Sequence, residues 1–195
     1  MSNESRQIYI LKEAGIYVNS GDITSRARAG VEYKDKKKKY WVDENNRDCF
    51  EIYARGLDIT LSDRPIYWQW KKPGGDSNGV EVAELVKTKW LEVKGSFWTT
   101  GYLTHGAPYK ISFKVMLTPS SNLKNERVNM KLSCPDGTTQ EGPVTMPEDN
   151  QWHELEVGRF NMNERNAGEM RFAMAQSFKK WGKGLIIKSV EIKAI

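Results

Sequence analysis

The stretch Tyr109-Lys110-Ile111-Ser112-Phe113-Lys114-Val115-Met116-Leu117 decides the fold. Tyr109, Ile111, Phe113, Val115 and Leu117 alternate with Lys110, Ser112, Lys114 and Met116. Successive side chains leave opposite faces of an extended backbone, so a period of two buries one face and wets the other. A sheet with one apolar face needs a second layer to cover it. The flanking sequence supplies more strands. Leu91 and Val93 interleave with Trp90, Glu92 and Lys94. Val128, Met130 and Leu132 run into the turn Cys134-Pro135-Asp136-Gly137, and Met170, Phe172 and Met174 repeat the pattern. Leu185 to Ile195 sets Ile186, Lys188, Val190 and Ile192 against Ile187, Ser189, Glu191 and Lys193. Between Trp152 and Leu155 the alternation slips by one residue, as at a bulge. Only Val82, Leu85, Val86 and Lys89 fit a short helix. Eight or nine short strands are expected in all, forming an all-β fold, an antiparallel β-sandwich whose loops collect at its ends.

The pattern begins at Tyr40, which divides the chain into a leader, residues 1–39, and a sandwich domain, residues 40–195. In the leader Ile8 and Ile10, with Ile16 and Val18, suit a short strand, and Asn19 to Asp22 suit a turn. Lys34, Lys36, Lys37, Lys38 and Lys39 carry much of a formal net charge of +5. Such a run reads as solvated surface, a nucleic-acid contact or a nuclear-import patch. No apolar run is long enough to span a membrane, and residues 1–30 lack a signal peptide's apolar segment, so neither membrane insertion nor export is expected. Without export, Cys49 and Cys134 are expected as reduced thiols.

The chemistry concentrates between Phe50 and Trp70. Three alternating runs, Phe50 to Ala54, Leu57 to Leu61 and Ile66 to Trp70, are broken by Arg55-Gly56 and by Ser62-Asp63-Arg64-Pro65. Ser62, Asp63, Arg64, Tyr67 and Trp68 bring hydroxyl, carboxylate, guanidinium and rings within seven residues. A sugar asks for that set: rings for the apolar face of the pyranose, an acceptor for its hydroxyls and donors for an amide oxygen. Alternation puts Trp68 and Trp70 on one face, so at least one belongs to the core, while Tyr67 and Asp63 are expected to be accessible. Lys180 and Trp181 sit in Lys179-Lys180-Trp181-Gly182-Lys183-Gly184, read as a loop and a second candidate contact. His105 and His153 lack metal-ligand spacing, no phosphate loop is present, and Asp63 with Glu154 or Glu169 is no more than a nominal glycosidase pair. Catalysis, a metal and a cofactor are therefore not expected.

Several segments resemble the phloem protein two family, the phloem lectins and Nictaba-like lectins of plants, and within it the lectins of cucurbits. They are Lys39 to Asp43, Cys49-Phe50 through Ile59-Thr60, Pro65 to Trp70, Val82 to Leu85 with Trp90 to Glu92, Trp152 to Gly158, Lys180-Trp181, and Gly184 to Ile192. The resemblance implies a jelly-roll-like carbohydrate-binding domain without enzyme activity. It also implies binding to N-acetylglucosamine oligomers of the chitin type and to the N-glycan cores of glycoproteins. A homodimer in the cytoplasm, the phloem sap or sieve elements is implied, and for some relatives RNA binding, so that an RNA-binding or phloem movement protein using the lysines is the alternative. The family attributes its sugar contacts to tryptophans in this region. Trp68 matches one of them, whereas Leu61 stands where the other is usual and Asp63-Arg64 where an acidic pair is usual. Either Leu61 is core, in line with Leu57 and Ile59, or the site is displaced toward Ser62, Arg64 and Trp181.

Overall fold

A computed structural model describes residues 2–73 and 79–195. The chain runs through helices α1 (Asn3–Glu13) and α2 (Ile23–Ala29) and then strands β1 (Val31–Tyr33), β2 (Lys38–Val42), β3 (Asp48–Tyr53), β4 (Asp58–Ile59), β5 (Trp68–Lys71) and β6 (Val82–Leu85). It continues through β7 (Thr88–Trp98), β8 (Pro108–Leu117), β9 (Arg127–Ser133), β10 (Thr139–Thr145), β11 (His153–Asn161), β12 (Glu169–Gly182) and β13 (Leu185–Ala194). Every strand pairing is antiparallel. One sheet has the order β10-β9-β12-β7-β4; the other runs β1-β2-β3-β13-β6-β5, with β8 on the far side of β13 and β11 beyond it. The expected sandwich is the observed one, with more strands because several are only two to four residues long.

The nine-residue stretch lies in β8, with Tyr109, Ile111, Phe113, Val115 and Leu117 all fully buried. Full burial of such side chains stabilises by about 1.5–3 kcal/mol each. Phe113 meets Phe172 of the other sheet edge to face, ring centroids 6.2 Å apart. Gly95 of β7 admits that packing, since a Cβ there would lie 2.5 Å from the Phe172 ring.

Several expectations are corrected. Ile8 and Ile10 lie in a helix, because the buried positions Arg6, Gln7, Ile10 and Leu11 follow helical spacing and Ser2 caps the first turn. Residues 82–85 are strand, since β6 bonds to β5 and to β13. The bulge in β11 falls between Glu156 and Gly158, where a Cβ on Gly158 would lie 2.8 Å from Leu132. Trp181 is on β12, which continues through Gly182 past a register shift. The third alternating run, from Ile66, begins its strand only at Trp68, and Ile66 itself is 58% exposed.

The division at residue 39 falls inside β2. The preceding residues share the core: Ile10, Leu11, Ile23 and Ala27 are buried, and β1 extends the larger sheet by pairing with β2. Cys49 and Cys134 are both free and buried, and burial pushes the Cys49 thiol up to about 11.

On the outer face of the larger sheet Glu191 of β13 stands opposite Glu51 of β3 and Ser112 of β8. Its Oε2 and the Ser112 hydroxyl have no hydrogen-bond partner among the described residues, and Lys114 and Lys193 approach only to 3.5 and 3.7 Å. Burial, with the Glu51 charge adding to it, holds the Glu191 carboxyl above its ordinary value against the pull of the lysines. A carboxyl raised by folding favours the folded state below its unfolded pKa and loses that contribution as pH rises through the raised value. Glu191→Gln is therefore expected to stabilise the protein by about 0.2–1 kcal/mol at neutral pH, as for relief of like charges on neighbouring strands. The gain should vanish on acidification through the ordinary glutamate pKa, measured by thermal unfolding across that range.

Candidate carbohydrate-binding site

The link from Thr60 to Tyr67 joins β4, an edge of the smaller sheet, to β5, an edge of the larger, so it crosses the open side of the sandwich. Consecutive turns build it: the N–H groups of Ser62, Arg64 and Tyr67 donate to the carbonyls of Ile59, Leu61 and Arg64. Two indoles hold it from beneath. Trp68 Nε1 donates to the Thr60 carbonyl at 3.0 Å, and Trp70 Nε1 to the Ser62 carbonyl at 3.1 Å. Period two puts both rings on one face of β5, and each reaches back eight residues. The loop is thus anchored at two alternate carbonyls.

Leu61 sits at the tip with φ +65° and is 38% exposed, which rules out the core position expected from alternation with Leu57 and Ile59. A left-handed conformation costs a residue with a Cβ about 1–2 kcal/mol. Such strain gathers at ligand-binding positions. Leu61 and Ile66 together give the loop an exposed apolar rim.

Behind the loop is a groove of about 610 Å³, within the range that takes a small ligand, lined by Arg55, Ser62, Asp63, Gln69, Trp70 and Lys71 among others. Asp63 is exposed and has neither ion pair nor hydrogen bond among the described residues. The Arg55 guanidinium lies 3.6 Å from the centre of the Trp70 ring and donates from Nε to Glu81 at 2.7 Å. Lys71 pairs with Glu84 at 2.7 Å. The groove therefore offers one free carboxylate, two cations held in place, an amide and a half-buried indole.

Ser62 and Asp63 line the groove as a pair. Arg64 is exposed, and its carbonyl accepts from both Tyr67 and Trp68. Tyr67 is only half-exposed, packs against the core, and its carbonyl accepts from Val86 at 2.8 Å. Trp68 also lines this groove, but at 2% exposed it leaves little ring face for a sugar to stack on. Lys180 lines a different groove with Asn122, Glu126 and Phe178. Trp181, 49% exposed, has the ammonium groups of Lys87 and Lys89 at 5.5 and 5.7 Å from its ring. Arg55 is the contributor that sequence reasoning passed over, whereas Trp70 was weighed with Trp68 but not chosen as a contact. The Arg55-Gly56 break was the one visible sign of Arg55, because a charged residue between two buried runs has to emerge somewhere.

The lysine run is not one patch. Lys34, Lys36 and Lys37 lie in the turn between β1 and β2, with Lys34, Asp35 and Lys36 all at positive φ. On β2 Lys38 and Lys39 face opposite ways, Lys38 over the Phe97 ring at 5.6 Å and Lys39 over Trp41 at 5.9 Å. The three carboxylates considered for hydrolysis are also dispersed: Asp63 is in the loop, Glu154 pairs with Lys110 on the larger sheet, and Glu169 pairs with Arg171 on the smaller.

A two-sheet antiparallel body with a polar and aromatic groove beside an edge loop defines the class, an antiparallel β-sandwich. Residues 47–194 match the family described as Phloem protein 2, and the chain belongs to that family. The Protein PHLOEM PROTEIN 2-LIKE A1 of Arabidopsis thaliana is 38% identical over 194 residues, covering 94% of this chain and 78% of its own. A protein of Luffa acutangula named Lectin is 34% identical over 169 residues, covering 85% of this chain and 80% of its own. Among solved structures, TmCBM61 in complex with β-1,4-galactotriose aligns with 75% of this chain and 88% of its own at TM-score 0.41 and 10% identity.

Proposed function

We propose that the protein is a non-catalytic lectin that takes N-acetylglucosamine oligomers in the groove beside the Thr60–Tyr67 loop. The observation that carries this is the free, exposed Asp63 lining a groove with a clasped indole. The carboxylate accepts from sugar hydroxyls, Leu61 and Ile66 cover ring C–H groups, and Arg55 and Lys71 donate to the amide oxygen. Membership of a family that includes proteins named Lectin supports the reading. A shallow groove leaves modest net affinity per site after desolvation. A homodimer, with two sites on one ligand, raises it by avidity.

Chitotriose titrated into the protein should change tryptophan emission saturably. Asp63→Asn should weaken binding at least tenfold, about 1.4 kcal/mol. Leu61→Gly should weaken it too while stabilising the fold by about 0.5–1 kcal/mol, the relief of left-handed strain less the added chain entropy. No saturation at millimolar sugar, or full affinity in the Asp63 variant, removes the reading.

A further inference from the structure

We propose a second site: a groove on the outer face of the smaller sheet, centred on Ala173, that binds an acidic oligosaccharide independently of the loop groove. The strand period sets it up. Val93 and Phe97 of β7 and Phe172 and Met174 of β12 are buried, so Lys94, Ser96, Arg171 and Ala173 leave the opposite face. Register then arranges them in two rows. Lys131, Ala173 and Lys94 stand side by side on β9, β12 and β7, and Ser133, Arg171 and Ser96 form the adjacent row. Ala173, the short residue, lies between two lysines whose strands are about 9–10 Å apart across two strand spacings. These residues line a groove of about 620 Å³ that also takes in Gly56, Asp58, Ile52 and Lys38 from beyond β7, and the carboxylates of Asp58 and Glu169 share the lining with the four cations Lys38, Lys94, Lys131 and Arg171.

The charges of this bed are only loosely held. Lys94 lies 3.7 Å from Asp58 and 3.4 Å from Glu92, and Lys131 lies 3.7 Å from Glu141. Arg171 bonds to Glu169 at 2.7 Å, but its side chain is 72% exposed. Exposed pairs of this kind contribute little to stability, so a ligand anion exchanges with them at little cost. Lys38 differs. It is half-buried over Phe97 with no carboxylate within ion-pair distance among the described residues, and burial lowers its pKa. An ammonium taken from water without a counter-ion is unfavourable, and an anion in the groove offsets that loss. Cations on both flanks of a small apolar floor, with two serine hydroxyls beside them, suit a flat ring edged with carboxylates.

The test is calorimetric titration of the full chain with trigalacturonic acid, with neutral galactotriose and sodium sulfate as controls. Saturable binding of the acid alone is expected, weakening with salt. Lys94→Gln with Lys131→Gln should weaken it at least tenfold, whereas Asp63→Asn, which disables the loop groove, should leave it unchanged. Independently of any variant, amide shifts of the wild-type protein should move at residues 94–96, 131–133 and 171–173. Equal binding of the neutral trimer, equal binding of sulfate, or shifts confined to the Thr60–Tyr67 loop overturns the proposal. Chitotriose binding is read separately, so failure of either site leaves the other standing.

Discussion

Asp48→Ala is expected to lower stability by about 3–5 kcal/mol, the cost of breaking a buried ion pair by removing one partner. The Asp48 side chain is 0% exposed and holds three groups at once: Arg6 Nε at 2.6 Å, the Tyr40 hydroxyl at 2.7 Å and the Thr104 hydroxyl at 2.6 Å. Its main chain takes part too, with its N–H donating to Thr104 Oγ1 and its carbonyl accepting from Tyr109. Arg6 belongs to α1, and the partners belong to β2, β3, β8 and the link before β8. One buried carboxylate therefore bridges helix and sandwich, beside the more exposed bonds from Tyr102 to Glu13 and from Gln7 to Asn46. Without it the guanidinium, 5% exposed, has lost its counter-charge and the Tyr40 hydroxyl its acceptor. Asp48→Asn keeps one acceptor oxygen but removes the charge and turns an NH2 group toward a donor, so it should fall between wild type and alanine. Arg6→Met combined with Asp48→Leu should recover much of the loss, because a well-packed apolar pair needs no counter-ion. Urea denaturation measures each variant, and hydrogen exchange in α1 should accelerate most in Asp48→Ala. A loss below about 1 kcal/mol would mean that the helix is held by its apolar contacts instead.

Trp68→Ala is expected to cost about 3–5 kcal/mol as well, and to abolish sugar binding without removing a sugar contact. The ring is 2% exposed, and its N–H fixes the Thr60 carbonyl. Truncation leaves a cavity between the sheets at the edge where β4 gives way to the loop, and it releases one of the two carbonyls on which the loop rests. Trp68→Phe separates the two effects. It fills most of the space but forfeits the hydrogen bond, a net loss of about 0.5–1.5 kcal/mol, with only part of the affinity for chitotriose. Asp63→Asn should show the reverse signature, with affinity lost and stability kept. Both are read from the same pair of measurements, denaturation and sugar titration. A Trp68→Ala protein that stays stable and binds normally would refute the clasp.

Residues that alternate strictly were legible because their signal is local. The core faces of β8, β9 and the first half of β12 follow from neighbours two apart, and the structure places each as the period demands. The leader was not legible in the same way. Its buried face mixes Arg6 and Gln7 with Ile10 and Leu11, so hydropathy alone hides the helix. In the loop, Ser62 and Asp63 were visible by composition, but alternation misplaced Leu61 because a turn with positive φ interrupts the extended backbone. Trp68 was chemically plausible as a contact and is buried instead, since its indole N–H finds a loop carbonyl and its ring then closes the core.

By itself the order of residues determined the antiparallel two-sheet body, the family and the polar cluster after Thr60, because each depends on residues near one another along the chain. Only the tertiary structure decided that Arg55 lies against Trp70, that Arg6 meets Asp48 and that lysines from two strands flank Ala173. Those contacts join residues on separate strands and helices. Packing brings them together, and no local pattern along the chain records which partners it will choose.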